Sequence, residues 1–426
     1  MNNAVKSACA ILELLSGKPK VVGEYAFQIA IGVDDNADVA PLRYDITTIY
    51  DVRTLAHVFE EKIRYAKVLR VTDRSIDVQL RDTVITIWNN YKIPTLNIFN
   101  IEYNTELRKH NWDGKAQIEL KENTQEFISK NPVAILDAIR CAIKYKLYIG
   151  NETSELIHNN IDLISKINIL ERTKQMKDML CCNKPVKSIL SQYSDVVSAL
   201  IPEIEPCINF NQKSTYHCHN VYEHMLYVTD YCNTNKFEIK LAALLHDIGK
   251  GKPNKYTEDT DGFGHFTGHP IESHNICKTV LKYRFRLTRK ETEHISNLVL
   301  EHDYKLYASH SSVRKFISKY GYTFLDDWMI LKQADIDDHI NLSPKIINMP
   351  LLHSIYLEII ESENKMSLRK LKISGKDIMK ITGERPGKTI GIILNELLVK
   401  VENMEIDNDY LALVEETLKI YAGITK

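Results

Sequence analysis

The feature that most limits the fold of this chain is a change of hydrophobic period near residue 126. Upstream of it, "VVGEYAFQIAIGV", "SIDVQL" and "TVITIW" carry β-branched residues or two-residue alternation, as strands do. Between them, "VRTLAHVFEEKIRYAK" has the spacing of a helix. Downstream, apolar residues return every three to four positions, as in "AILDAIRCAIKYKL" and "ILERTKQMKDML". Gly and Pro signals such as "KGKPNK" and "GERPGK" separate one helix from the next. The pattern predicts an α+β chain: a small mixed α/β head over 1–125, then an all-α body. No internal repeat or low-complexity tract interrupts it.

The 426 residues leave room for about three domains, at roughly 100–200 residues each. A net charge of −1 means that any affinity for nucleic acid must come from local basic patches. No window reaches the roughly 18 consecutive apolar residues of a membrane span, so no membrane partner is expected. The N-terminal "MNNAVKSACAILELLSGKPK" has no clear signal-peptide cleavage pattern and reads as an amphipathic helix. The eight cysteines include no CxxC pair. Free thiols in a reducing, cytoplasmic setting are expected, not a disulfide framework or a cysteine zinc site.

Four residues suggest metal chemistry. His224 lies in the helical pattern "YHCHNVYEHMLYV". His246 and Asp247 are adjacent at the end of the apolar run in "LAALLHDIGKGK", and Asp335 lies in "MILKQADIDDH". Imidazole nitrogen and carboxylate oxygen together suit a divalent ion of intermediate softness. Such an ion lowers the pKa of bound water or polarises a phosphoryl oxygen. A single His or Asp on a helix is usually a satisfied polar residue, so the combination carries the argument. Asp247 follows an apolar run and is costly to bury unless paired or metal-bound.

His224, the pair at 246–247 and Asp335 together resemble the signature of the HD-domain metal-dependent phosphohydrolases, of which "HDIGKGKP" is a specific form. More widely, the order of features resembles the bacterial-type CCA-adding enzymes and poly(A) polymerases, the class II tRNA nucleotidyltransferases that carry an HD domain. "NPVAILDAIRCAIKYKLYI" is similar to that family's neck helix, "FGHFTGHPIESH" to the segment after the HD pair, and "LKISGKDIMKITGERPGKTIGIILNELLVKV" to its C-terminal segment. The likeness covers nearly the whole chain and is strongest after residue 126.

The resemblance implies a nucleotidyltransferase-like head over 1–125 and a helical neck over 126–190. It places an HD domain over 191–360 and a helical, RNA-binding-like tail over 361–426. It implies metal ligands at His224, His246, Asp247 and Asp335, for a divalent ion from the set Mn, Ni, Co, Mg or Zn. His246 and Asp247 are then catalytic as well. His269 and His302 line the site, against phosphate or a second metal. Lys250, past a helix-ending Gly249, either meets a substrate phosphate or compensates a helix C-terminus. Most of the further histidines His217, His219, His265 and His274 are not expected as ligands.

The head departs from the family's pattern at its nucleotide site. Where that pattern has GGxVRD, Gly23 remains, Glu24 replaces the second Gly, and Phe27 and Gln28 replace the Arg-Asp pair. The second Gly lets backbone amides approach a triphosphate, whereas Glu24 adds a carboxylate there. Asn36 and Asp38 align with the metal-binding DxD, and Asn is a poor substitute for a carboxylate toward Mg²⁺. Lys92 begins "KIPTLNIF" where the family shows Arg-Asp. In the neck Arg140 is kept, while Asp137 stands where the family shows Arg. Gly23, Asn36, Asp38, Lys92 and Arg140 thus form a degenerate nucleotide-binding set and predict an inactive nucleotidyltransferase. A realigned site using Asp34, Asp38 or Asp45 is the alternative.

In the tail, Lys365, Arg369, Lys370, Lys372, Lys376 and Lys388 supply a basic cluster for RNA phosphate. Pro386 and Gly387 lead into a helix with free amides. A solvated helix face is the plainer reading of such a cluster. The reading of the whole chain is a metal-dependent HD phosphohydrolase: a 2′,3′-cyclic phosphodiesterase, 2′-nucleotidase or phosphatase. Its substrate is an RNA 3′ end, that of tRNA first. A working CCA-adding enzyme and a non-catalytic RNA-binding protein are the alternatives.

Overall fold

The structure, a computed structural model, describes residues 2–15, 19–30, 44–49, 51–72, 75–89, 102–104, 109–110, 117–118, 125–214, 216–339, 348–365, 371–402 and 405–424. It divides into two compact units, Met1–Tyr304 with Thr323–Ile346 and Lys305–Tyr322 with Ile347–Lys426. The architecture is α+β, a mixed sheet near the N-terminus and helices beyond it.

The first unit opens with α1 (Asn3–Leu14), whose buried residues Val5, Ala8, Cys9 and Leu12 recur at helical spacing. A seven-stranded sheet follows in the order β3-β4-β5-β2-β1-β6-β7. Its strands are β1 (Lys20–Val22), β2 (Tyr44–Thr48), β3 (Ala66–Val71), β4 (Ser75–Leu80), β5 (Thr83–Asn89), β6 (Glu102–Asn104) and β7 (Lys109–His110). β2 and β5 pair in parallel and the other neighbours antiparallel. α3 (Val52–Lys62), capped by Asp51, buries Leu55 and Phe59 with Ile76 and Val78 of β4.

The run "VVGEYAFQIAIGV", expected as a strand, is one only over β1; from Gly23 to Ala30 it is helix α2. Tyr25, Ala26 and Gln28 are all buried. A short run buried on consecutive positions does not separate the two periods, and packing against β1, β2 and β6 decides.

From 125 onward helices dominate: α4 (Gln125–Lys130), α5 (Val133–Tyr145), α6 (Asn151–His158), α7 (Ile169–Cys181), α8 (Lys187–Gln192) and α9 (Ser194–Leu200). The short pair β8 (Gln117–Ile118) and β9 (Tyr148–Ile149) interrupts them. Next come α10 (Val221–Tyr231), α11 (Phe237–Leu245), α12 (His269–Tyr283), α13 (Arg289–Glu301) and α15 (Tyr322–Asp337), with the hairpin β10 (Tyr256–Glu258) and β11 (Gly264–Phe266). α11 is buried on nearly every side, since Phe237, Ile239 and the five residues 241–245 all lie inside. A helix apolar all round belongs at the centre of a bundle, and α7, α10 and α13 surround it.

The second unit pairs α14 (His310–Tyr320) with α16 (Met349–Lys365), which His310 and Glu358 bridge at 2.9 Å. α17 (Gly375–Thr382), α18 (Lys388–Glu402) and α19 (Tyr410–Ile424) close around Ile373, Ile378, Ile393, Leu397 and Leu413. α16, packed on α14, thus belongs to the same compact unit as the C-terminal helices. All eight cysteines are free, and burial pushes the thiols of Cys9, Cys207 and Cys232 up to about 12.

Candidate metal centre

The end of α11 sets the centre. His246 is its C-cap, and Asp247 follows in a tight turn. Because α11 runs through the middle of the bundle, both are almost wholly buried, at 0% and 1% exposure. His246 Nδ1 donates to the carbonyl of Ala243 at 2.8 Å, one of the carbonyls that a helix end leaves free. His302, the C-cap of α13, repeats the device on Val299 at 2.7 Å. His269, at the start of α12, uses Phe266 at 2.9 Å. His224, inside α10, donates from Nδ1 to Asp338 at 2.7 Å.

These contacts fix the tautomers. A carbonyl only accepts, so each Nδ1 carries the proton and each neutral ring turns a bare Nε2 inward. His224 and His246 place their Nε2 atoms 3.2 Å apart. Asp247 Oδ2 lies 3.4 Å from both, and Asp335 Oδ1 lies 3.3 and 3.8 Å from them. A cation at about 2.0–2.2 Å from four such atoms spaces them roughly 3.3–3.6 Å apart in a tetrahedron. The spacings among His224, His246 and Asp335, and among His246, Asp247 and His302, therefore suit a divalent ion.

A second grouping shares Asp247. His269 Nε2 and His302 Nε2 are 3.2 Å apart, and lie 3.2 and 3.4 Å from Asp247 Oδ1. That oxygen is buried and accepts no hydrogen bond among the described residues. An orphaned carboxylate oxygen faced by two bare nitrogens is the arrangement that a cation resolves.

The electrostatics agree. Burial pushes the carboxyls of Asp247 and Asp335 up, but Lys250 beside the first and Lys332 beside the second hold both well below the usual range. Burial opposes charge on His224, yet hydrogen bonds to Asp335 and Asp338 outweigh it and lift the group to about 9, so at neutral pH its Nε2 carries a proton that a bound ion would displace. Burial holds His302 below its ordinary value.

Lys250 is buried too, with Nζ 2.6 Å from Asp247 Oδ2 and 2.9 Å from Gln212 Oε1. The sequence places a helix end at Gly249, but α11 stops earlier, at Leu245, with His246 as its cap. A Cβ at Gly249 would sit 2.5 Å from Ser273 N and 2.6 Å from His269 O. Glycine is needed there so that α12 can approach and deliver His269.

Residues 215–340 match the HD domain family. The CCA-adding enzyme of Bacillus stearothermophilus, solved with CTP, superposes with a TM-score of 0.55 at 13% identity, over 100% of this chain and 99% of that one. The CCA-adding enzyme of Thermotoga maritima, solved with tRNA, gives 0.50 at 15% identity over 98% and 96%. A CCA-adding enzyme solved with ATP gives 0.51 at 16% over 100% and 95%. This chain carries an HD domain on a CCA-adding-enzyme fold. No curated protein matches it by sequence.

The HD domain thus draws the four predicted ligands, His269, His302 and Lys250 into one place. Asp338, which sequence reading missed, orients His224 through Nδ1. Its signal was its spacing, one helical turn past Asp335. His265 pairs with Asp259 at the surface and His274 Nδ1 with Ser296 O, both away from the ligand atoms.

The head residues fare differently. Gly23 opens α2. Arg140 is buried and committed: to Glu24 at 2.9 Å, Asp137 at 3.2 Å, Asp178 at 3.0 Å and Gln175 at 2.9 Å. Lys144 joins Glu24 at 3.2 Å, and Tyr145 Oη donates to Glu24 at 2.7 Å. Asp45 is buried and accepts from Trp88 Nε1 at 3.0 Å. Asn36, Asp38, Asp34 and Lys92 lie outside the described residues, as do Arg369 and Lys370. Lys372, Lys376 and Lys388 are exposed in the second unit.

Proposed function

We propose that the HD domain is a metal-dependent phosphohydrolase acting on RNA 3′ ends, those of tRNA first, as a 2′,3′-cyclic phosphodiesterase, 2′-nucleotidase or phosphatase. One observation carries the reading. Four imidazoles with tied Nδ1 atoms turn their Nε2 atoms onto two buried carboxylates, one oxygen of which has no hydrogen bond among the described residues. When bound, a divalent ion there supplies Lewis acidity toward a phosphoryl oxygen and a more acidic water.

The chain's own groups divide the rest. His224, His246, Asp247 and Asp335 hold the ion. His269 and His302 face the second oxygen of Asp247 and line a further cation or phosphate position. Lys250 brings a buried ammonium to Asp247, where an entering phosphate meets it as a point charge. RNA as substrate is supported by the fold shared with an enzyme solved on tRNA. The exposed Lys372, Lys376 and Lys388 add sequence-independent phosphate contacts.

The second reading is CTP and ATP addition to tRNA, which the shared fold supports. The grip of Arg140 and Lys144 on Glu24 counts against it. Two assays separate the readings. Purified protein with Mn²⁺ and a nucleoside 2′,3′-cyclic phosphate should release nucleoside monophosphate, and His246→Ala should not. Protein with tRNA lacking its CCA end, labelled CTP and Mg²⁺ should incorporate nothing; incorporation at a useful rate reverses the ranking. An unchanged biological effect in His246→Ala would instead favour a non-catalytic RNA-binding role.

A further inference from the structure

We propose that His217 and His339, with Tyr216 at the surface, form the seat for the substrate's nucleoside beside the metal centre; this rests on the phosphohydrolase reading above. The ring of His217 lies 4.5 Å from that of His224, tilted 62°, and 4.5 Å from that of His339, tilted 76°. His339 in turn lies 6.4 Å from Tyr216, which is 41% exposed. A run of rings therefore leads from a fully buried ligand out to solvent.

Within this run two polar atoms stand open. Nδ1 of His217 and Nδ1 of His339 are both buried and have no hydrogen-bond partner among the described residues. The imidazoles of the centre contrast with them: His224, His246, His269 and His302 all have Nδ1 committed. On the other side, His219 stacks on Tyr227 at 4.1 Å and turns Nε2 toward Asp338. Buried polar atoms are satisfied with few exceptions, and an exception in a site calls for a ligand.

The geometry also says which ligand. His217, His224 and Asp338 lie close enough to share an ion. Yet His224 Nδ1 and Asp338 Oδ2 are bonded to each other at 2.7 Å, so this is a poor third cation site. Phosphate finds its cation in Lys250, on the Asp247 side. What remains are two unmet ring nitrogens, which suit a ligand with donors and acceptors along its edge. A nucleobase is such a ligand: it stacks on aromatic faces and bonds along its rim. A base paired in a duplex offers neither its faces nor its pairing edge, so the ligand is an unpaired nucleotide, as at a 3′ end.

The test is binding to the full chain loaded with Mn²⁺. The probes are adenosine and cytidine 3′-phosphonates, whose C–P bonds resist hydrolysis, and the base-free methyl riboside 3-phosphonate. The nucleoside probes should bind at least about tenfold tighter, and His217→Phe and His339→Phe should each lose about tenfold of that margin, the worth of one hydrogen bond. Metal content and base-free binding should stay unchanged in both variants. No margin in the wild type, or equal losses on both kinds of probe, overturns the seat. Turnover of a cyclic nucleotide is read separately. A margin without turnover sinks the phosphohydrolase reading as well as this use of the seat, whereas turnover without a margin sinks the seat alone.

Discussion

Two buried clusters of charge invite comparison, one at the HD centre and one where the head meets the neck. In the second, Arg140 and Lys144 face Glu24, Asp137 and Asp178, and Gln175 and Tyr145 take up further valences. Donors meet acceptors throughout. In the first, imidazole Nε2 atoms face one another at 3.2 Å and a buried carboxylate oxygen has no hydrogen bond among the described residues. Both clusters are deep, but only one is complete without a guest. Whether buried polar groups answer one another within the chain separates architecture from a ligand site better than burial does.

The largest effect that could break this contrast is at Asp247. Its two oxygens serve both groupings, so Asp247→Ala should abolish metal binding and phosphodiesterase activity together. Metal analysis of the purified variant beside the wild type reads the first, and a cyclic-nucleotide assay reads the second. Full metal retention would show that the Nε2 atoms are answered in some other way.

Next in size is Glu24→Ala, which attacks the complete cluster. Removing one partner of a buried ion pair costs about 3–5 kcal/mol. Chemical denaturation should therefore report a loss of that order in the first unit, with metal content untouched. A variant as stable as the wild type would mean that the head and neck cations do not need Glu24. If it also gained affinity for tripolyphosphate, Glu24 would be an occupant of an anion site and not a strut.

A smaller change should follow Asp338→Asn. The carboxylate holds His224 through Nδ1 without reaching the ligand position itself. Loss of such an outer partner typically lowers metal affinity by about 10–100-fold. Equilibrium dialysis against Mn²⁺ would measure it, and an unchanged affinity would remove Asp338 from the site.

The two clusters were not equally legible in the sequence. His224, His246, Asp247 and Asp335, which the structure brings together, were singled out because two His and two Asp combine there and Asp247 follows an apolar run, where a carboxylate is costly to bury unpaired. His269 and His302 were reached only through resemblance, since their roles depend on two helix ends meeting in space. Asp338 went unnoticed, although it lies one turn from Asp335. The open Nδ1 atoms of His217 and His339 leave no mark in a sequence, because an unmet hydrogen bond is a property of the surroundings. In the head, Glu24 was seen to replace a glycine, but its partners Lys144 and Tyr145 could not be named before α2 and α5 were placed together. The same run misled on secondary structure: a stretch buried at consecutive positions shows neither period.

The smallest effect, and the sharpest comparison, comes from acid. Arg140 and Lys144 overcome the cost of burying Glu24 and hold it at about 2, below its ordinary 4.5. A carboxylate so depressed contributes stability above the ordinary value and loses it as pH falls toward the folded one. The difference in unfolding free energy between wild type and Glu24→Ala should therefore be flat from pH 7 to about 5. It should shrink only below about 4.5. The metal centre must behave in the opposite way over that window, because imidazole ligands bind an ion only when deprotonated. With His224 lifted to about 9, metal affinity should already be falling as pH drops from about 9 to 7, well above the window in which Glu24 titrates. Denaturation of the metal-free pair and dialysis of the wild type, run in the same buffers, place the two curves side by side. If both moved together, the two clusters would not be the separate kinds that their contacts describe.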